Sequence, residues 1–403
     1  MATASQSHAH HYVPRWYQNR FLYPGTFDYY YLDLKPETIV HQRGKYTKRS
    51  LFRRGPGKCF YEDDLYALKF GKDTTDVIEK AFFGEIDRRG APAVELFGEY
   101  GGFDKVHPTN FSILTRYMGA QRFRTPRGLD YLKRRTNQDD KNAILAMMQR
   151  FFQMYSTMWS EGIWEFVRAR QSRTKFIISD NPVTFFNRGT FPHLYVYPED
   201  VPLQHIGTRT LFPVSIDACL VVTHLQLVRN PHVNPHATRS NPRFFAPTMK
   251  YALDTQFGRE LTEQEVLRIN FIVKKRAARY IAAAEQEWLF PERYVTERKW
   301  SHLDDDWFLL PHLYKVAFHS QTTVGRRDGS VWTMDEYGRN PGDPDFKNPE
   351  QHHKEFITFH QSKREWAKKR RGQSVAHVEK FRGNDEVADK IMQDELDGVQ
   401  GDS

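Results

Sequence analysis

Cysteine is nearly absent from this chain of 403 residues: Cys59 and Cys219 lie far apart, and no Cys-x-x-Cys occurs. That spacing excludes a disulfide-built scaffold and a thiolate zinc site, and points to two free thiols in a reducing compartment. Long apolar runs are missing too. The most apolar stretch, 211–228, carries Pro213, Asp217, His224 and Gln226. One mid-span aspartate alone costs ~2.5–3.5 kcal/mol on insertion scales, so neither a transmembrane helix nor a membrane partner is expected. The first dozen residues lack the apolar segment of a secretory signal, and a cytoplasmic setting is expected. There is no Gly-x-x-x-x-Gly-Lys-Ser/Thr, no Gly-x-Ser-x-Gly, and no Gly-x-Gly-x-x-Gly between a strand and a helix. P-loop, hydrolase-elbow and Rossmann chemistry therefore lack support.

What is present is a globular composition with a basic excess. Hydrophobic residues at 39% and charged residues at 27% suffice for a large core and exclude a wholly disordered chain. Lys plus Arg outnumber Asp plus Glu by 59 to 50, which leans the surface toward anionic partners.

Patterning supplies the elements. Pro14 holds Val13 extended and suits the first turn of a helix over 14–22, while the aromatics at 29–34 favour a strand. Asp76 and Glu79 form a capping box that opens a predicted helix over 76–99, limited or kinked by Gly90 and Pro92. An apolar stripe from Ile144 to Phe166 predicts a second helix over 139–170. Strands are expected at 175–179, 183–186 (as continuation or partner of the first), 211–215 and 219–223, with an irregular excursion over 187–209. Thr262 and Glu265 form another capping box, whose helix runs on to Ile281. Beyond 300 the chain turns charged and aromatic, with six cations within 363–371 and an acidic end. The reading is α+β and helix-rich, with a small central β-sheet. One main domain covers 1–290, and a charged extension covers 291–403, basic then acidic and partly disordered at its end.

Several segments carry a more specific likeness. They are His10-His11-Tyr12-Val13-Pro14-Arg15-Trp16-Tyr17, Phe60-Tyr61-Glu62-Asp63-Asp64-Leu65-Tyr66, the helix from Val77 to Ile86, Phe176-Ile177-Ile178-Ser179-Asp180-Asn181-Pro182-Val183, Leu211-Phe212-Pro213-Val214-Ser215, and the helix from Asn270 to Ile281. Their order resembles proteins grouped as domain of unknown function 4238, over about residues 8–290. The resemblance implies an arrangement and a cytoplasmic setting but supplies no chemistry, so function rests on the residues themselves. Arg15 stands where the family pattern often has Gln.

Four constellations are candidates. His11, near the start of the first helix, is a candidate base or metal ligand, with Arg15 beside it to hold phosphate or carboxylate; the alternative is a histidine that caps or packs against that helix. On a wheel advancing about 100° per residue, Glu85 falls inside the arc of Val77, Ala81, Ile78, Phe82 and Ile86, with Glu79 at its margin. An inward carboxylate needs a proton, a cation or a metal, so both are candidate ligands or acids, unless an arginine pairs with them. Asp180 and Asn181 follow a predicted strand and suit a hard cation and substrate orientation, although an Asx-turn explains the same residues. Finally, Arg43, Lys45, Lys48, Arg49, Arg53, Arg54 and Lys58 interleave with Tyr46 and Phe52, and Arg122, Arg124, Arg127, Lys133, Arg134 and Arg135 with Phe123 and Tyr131. Cations with aromatics suit phosphates and stacked bases, although solvated loops carry such runs too.

Together these give an expectation of a metal-dependent phosphodiesterase or nuclease in a defence or toxin setting. His11 and Glu85 would be catalytic, and Arg15, Arg49, Arg53 and Arg54 would bind the anion. Asn181 would orient substrate, and Glu79, Glu85 and Asp180 would hold Mg or Mn. The alternative is a noncatalytic module that binds nucleic acid or protein, and a small-molecule binder is a third reading. The sequence does not fix the oligomeric state.

Overall fold

A computed structural model describes residues 9–41, 44–63, 65, 68–70, 73–75, 83–99, 106–136, 141–239, 255–305 and 321–369. Strand β1 (Ala9–His11) leads into the short helix α1 (Arg15–Asn19). There follow β2 (Tyr29–Asp33), the hairpin β3 (Thr38–His41) and β4 (Gly44–Thr47), β5 (Leu51–Arg54), β6 (Tyr61–Asp63) and the hairpin β7 (Leu68–Phe70) and β8 (Asp73–Thr75). Four helices come next, α2 (Gly84–Gly98), α3 (Pro108–Phe123), α4 (Pro126–Thr136) and α5 (Lys141–Glu161). Then come β9 (Ile163–Arg168), β10 (Ile178–Ser179), β11 (Thr184–Phe186), β12 (Arg209–Ser215), β13 (Ala218–Thr223), α6 (Leu225–Arg229) and β14 (Thr255–Glu260). Helix α7 (Glu263–Arg276), β15 (Tyr280–Ala283), the hairpin β16 (Gln321–Gly325) and β17 (Val331–Asp335), and α8 (Pro349–Lys369) complete the order.

The class is α+β, as the pattern predicts, but the strands make two main sheets rather than one small one. A five-stranded sheet runs β11-β12-β13-β9-β14, antiparallel except for β14 on β9, and a four-stranded antiparallel sheet runs β10-β15-β2-β5. The Asp180–Pro182 turn therefore carries the chain from one sheet to the other, and 183–186 neither continues β10 nor pairs with it. Helices α2, α3 and α5 pack beside the five-stranded sheet. Phe97 stacks on Phe166, which stacks in turn on Phe257, joining α2 to β9 and β14.

Several expectations are corrected. Pro92 lies inside α2 without ending it, and Gly90 lets α2 press on α3, because a Cβ there would meet Tyr117 at 2.6 Å. The helix predicted over 139–170 stops at Glu161, and Ile163 to Arg168 form a central strand. A Cβ on Gly162 would meet Val222 at 2.7 Å, so the turn must be bare, and a buried apolar run reads equally as helix or strand. Helix α3 was not foreseen. It buries Phe111, Leu114, Tyr117, Met118 and Phe123 together with Gln121 and Arg122, leaving no clean polar stripe to give a helical period. The Thr262–Glu265 capping box is present, but α7 ends at Arg276 and the next apolar residues are strand β15. The Asp76 box lies outside the described residues.

The extension is joined to the main body over part of its length. Arg229 of α6, fully buried, donates to Glu336 at 2.9 Å, the Tyr337 hydroxyl at 2.8 Å and Glu355 at 3.2 Å, while Phe359 packs on Ile163 and Val228. The cationic run at 363–369 is the last part of α8, and 370–403 lies outside the described residues. Among the described residues, no helix is long and apolar enough to cross a membrane.

Candidate functional site

The period-two alternation of β5 shapes the candidate site. Phe52 and Arg54 point to one face and Arg53 to the other, and the Arg54 guanidinium lies 4.3 Å over the Phe52 ring. Register sets Tyr31 of β2 opposite Phe52, and Tyr280 of β15 stacks on Tyr31 with ring centroids 5.0 Å apart, so an aromatic floor crosses three strands. Over it opens a cleft of about 570 Å³, walled by Tyr46, Phe60 and Tyr61 and by Lys48, Arg49, Lys58 and Arg279, with Asp33, Glu37, Glu62 and Asp63 also on its lining. That size suits a nucleotide-scale ligand. A second depression of about 770 Å³, lined by Asp28, Arg53, Arg54, Gly55, Gly57, Lys58 and Tyr61, shares Arg54, Lys58 and Tyr61 with the first. The two are lobes of one groove.

Some of its charges are already spent. Lys48 meets Glu37 at 2.6 Å, Arg53 meets Asp28 at 2.8 Å, and Arg279 grips Asp33 with Nε and Nη2 at 3.1 and 2.9 Å. Arg49, Arg54, Lys58 and the adjacent Arg15 have no carboxylate partner among the described residues. Tyr46 and Tyr61 are 54% and 42% exposed.

The N-terminal histidine-tyrosine motif builds one wall. Strand β1 pairs with β6, setting His11 opposite Tyr61, and the backbone N–H groups of Tyr12 and Val13 both donate to the Phe60 carbonyl, at 3.1 and 3.4 Å. Phe60 is held at φ 51°, a left-handed conformation that costs a bulky residue about 1–3 kcal/mol. Buried Gln18 donates to the Val13 and Cys59 carbonyls at 2.7 and 3.3 Å. His11 Nδ1 lies 3.2 Å from the Cys59 carbonyl, which fixes the tautomer with Nδ1 as donor and leaves Nε2 as the acceptor. Burial, with the nearby Arg15 charge, lowers its pKa, so the ring is neutral at pH 7.

The Ser-Asp-Asn-Pro turn holds the β15 residues of the groove. Asp180 is buried, and its carboxylate accepts from the backbone N–H groups of Ala278 at 2.8 Å, Arg279 at 2.6 Å and Tyr280 at 2.9 Å. Burial pushes this carboxyl up against the downward pull of those donors. Asn181 donates to the Arg276 carbonyl at 3.2 Å and accepts from Arg122, which also pairs with Asp200 at 2.5 Å. Asp180 is thus spent on positioning Arg279 and Tyr280, and Asn181 on the Arg276 carbonyl and Arg122.

Of the residues expected to share a metal centre, the two that lie among the described residues, Glu85 and Asp180, are each engaged by other groups. Glu85 is exposed on α2 rather than inward, paired with Arg88 at 2.8 Å and Arg89 at 2.6 Å, and those guanidiniums hold its carboxyl down to about 2. The wheel failed because it took its phase from 77–82, whereas the helix described begins at Gly84. Glu79 lies outside the described residues. Among the described residues, no group of three or more His, Cys, Asp or Glu is placed to hold a metal ion. Arg122, Arg124 and Arg127 are buried rather than offered to an anion: Arg124 pairs with Asp87 at 2.9 Å, and Arg127 donates to carbonyls at 198, 199 and 276. The first basic run, by contrast, supplies Lys48, Arg49, Arg53, Arg54 and Lys58 to the groove; Arg43 lies outside the described residues. Arg279, Tyr280, Tyr31 and Tyr61 were missed as site residues, since only strand register brings them to it. Both cysteines are free and buried.

Two motifs distant in sequence thus hold groove residues in place, the His-Tyr segment those of β6 and the Ser-Asp-Asn-Pro turn those of β15. The chain belongs to the family described as Protein of unknown function (DUF4238), whose model matches residues 9–287. No curated protein and no solved structure matches the chain.

Proposed function

We propose that the protein binds single-stranded nucleic acid in the groove between β5, β6 and β15. The observation that carries this reading is the interleaving, on one surface, of the exposed Tyr46 and Tyr61 with Arg49, Arg54 and Lys58, cations without a carboxylate partner among the described residues. Cations track phosphates, and every base has a π-face to stack on an aromatic ring. A duplex hides those faces, so single strands are the better ligand. The test is fluorescence anisotropy with labelled oligothymidylate, oligouridylate and duplex at rising salt. Single strands are expected to bind with a steep salt dependence, and Tyr61→Ala to weaken them by ~1–3 kcal/mol. Equal binding of duplex and single strand, or binding insensitive to salt, would refute the reading.

Hydrolysis of the bound strand is a second reading, favoured by one observation: the neutral His11 ring, with Nδ1 engaged and Nε2 as acceptor, sits 5.7 Å from the Tyr61 ring. Incubation of the same oligonucleotides with Mg or Mn decides it. Cleavage lost in His11→Ala supports it, and intact strands at saturating binding dismiss it.

A further inference from the structure

We infer that the second lobe of the groove is a pocket for a phosphomonoester, the terminal phosphate of a nucleotide or strand whose base lies on the aromatic floor of the first lobe. This rests on the groove reading above. Chemistry divides between the lobes. The first is aromatic and of mixed charge, whereas the second holds Arg53, Arg54 and Lys58 with a single carboxylate, Asp28, which Arg53 already occupies. Arg15 lies beside that lobe without lining it, its guanidinium 3.6 Å from where a Cβ on Gly57 would stand. Arg54 and Lys58 line the depression with no carboxylate partner among the described residues. Arg54 stands at the junction, stacked on Phe52 and lining both lobes.

The turn that gathers these groups has a backbone requirement. A Cβ on Gly55 would meet the Phe27 carbonyl oxygen at 2.8 Å, so a side chain there would push the loop off the segment that leads into β2, and the Lys58 N–H closes the turn on the Gly55 carbonyl at 2.9 Å. Charge selects the ligand. A phosphomonoester carries roughly −1.5 to −2 at neutral pH, against about −1 for an internal diester, and the unspent Arg54 and Lys58 on the lobe match the larger charge. Guanidinium forks add bidentate donation to its oxygens.

The experiment uses the full chain and oligothymidylates about 12 nucleotides long, labelled at one end and carrying either phosphate or hydroxyl at the other. The phosphorylated end is expected to bind about tenfold tighter. Lys58→Ala and Lys58→Gln, at an exposed position, should reduce that preference toward unity while leaving thermal unfolding unchanged. Competition with thymidine monophosphate against thymidine separates the two sources: displacement by the monophosphate alone supports a free nucleotide, and resistance to it with the end preference intact supports a strand end. Equal affinity for phosphorylated and hydroxyl ends overturns the pocket and leaves the groove reading standing. Binding of neither oligonucleotide nor mononucleotide overturns both.

Discussion

Asp180→Asn separates a bracing role from a chemical one. Oδ1 takes the Ala278 N–H, and Oδ2 takes those of Arg279 and Tyr280. The residue makes three acceptor contacts with backbone donors, which pull its pKa down against the larger upward push of burial. An asparagine retains one acceptor oxygen. Its NH2 must then face a backbone donor, so at least one hydrogen bond is lost and one N–H is left without a partner. Such a loss costs about 2–4 kcal/mol, a large share of a typical 5–15 kcal/mol stability. Urea unfolding at pH 7 measures it. The displaced segment carries Arg279 and Tyr280, so oligonucleotide affinity should fall with it under conditions where the variant is folded. A change of less than about 0.5 kcal/mol would refute the argument, because it would show that the three N–H donors do not need both carboxyl oxygens.

Two further predictions concern regions away from the groove. His224 is buried beside the Leu203 carbonyl at 2.7 Å, and burial with the Arg239 charge lowers its pKa to about 4. The unfolded imidazole titrates near 6.5, so the unfolded chain binds a proton that the folded one refuses. Stability is full above that pH and declines as pH falls toward 4, by up to about 3 kcal/mol from this group. Denaturant midpoints between pH 7.5 and 4.5 should fall less in His224→Gln than in the parent, and identical slopes would count against the assignment. Arg229→Ala leaves Glu336 fully buried and Glu355 without its cation, a loss of about 3–5 kcal/mol for a broken buried pair. Limited proteolysis should then cut within 321–369 first, whereas an unchanged cleavage pattern would show that the network does not hold the extension.

What was legible in the sequence follows from how local each signal is. The Thr262–Glu265 capping box, the β2 aromatics and strands β12 and β13 are fixed by residues within a few positions of one another, and each is found where the pattern places it. The failures share a cause in burial. Helix α3 encloses cations that composition assigns to the surface, because Asp200 and Asp87, remote in sequence, neutralise Arg122 and Arg124. The run from Ile163 is buried on both faces because β9 is central, and a strand buried on both sides loses its alternation. The site was half visible for the same reason. Arg49, Arg53 and Arg54 belong to one continuous basic segment, whereas Arg279 and Tyr280 reach the groove only because β15 pairs with β2.

The same topology reassigns the residues that looked most chemical. A histidine beside a proline turn and an Asp-Asn pair after a strand are usual marks of a catalytic centre, yet here the atoms best suited to chemistry are engaged by backbone: His11 Nδ1 by the Cys59 carbonyl, and the Asp180 carboxylate by three N–H groups. Neither residue lines the cleft, and each adjoins residues that do, Phe60 and Tyr61 next to His11 and Arg279 and Tyr280 next to Asp180. Loss of either brace should therefore change groove affinity and stability together, whereas Tyr61→Ala or Lys58→Ala, on the surface, should change affinity alone. That split distinguishes a scaffolded binding groove from an active site, in which His11 and Asp180 would be expendable for folding and indispensable for turnover.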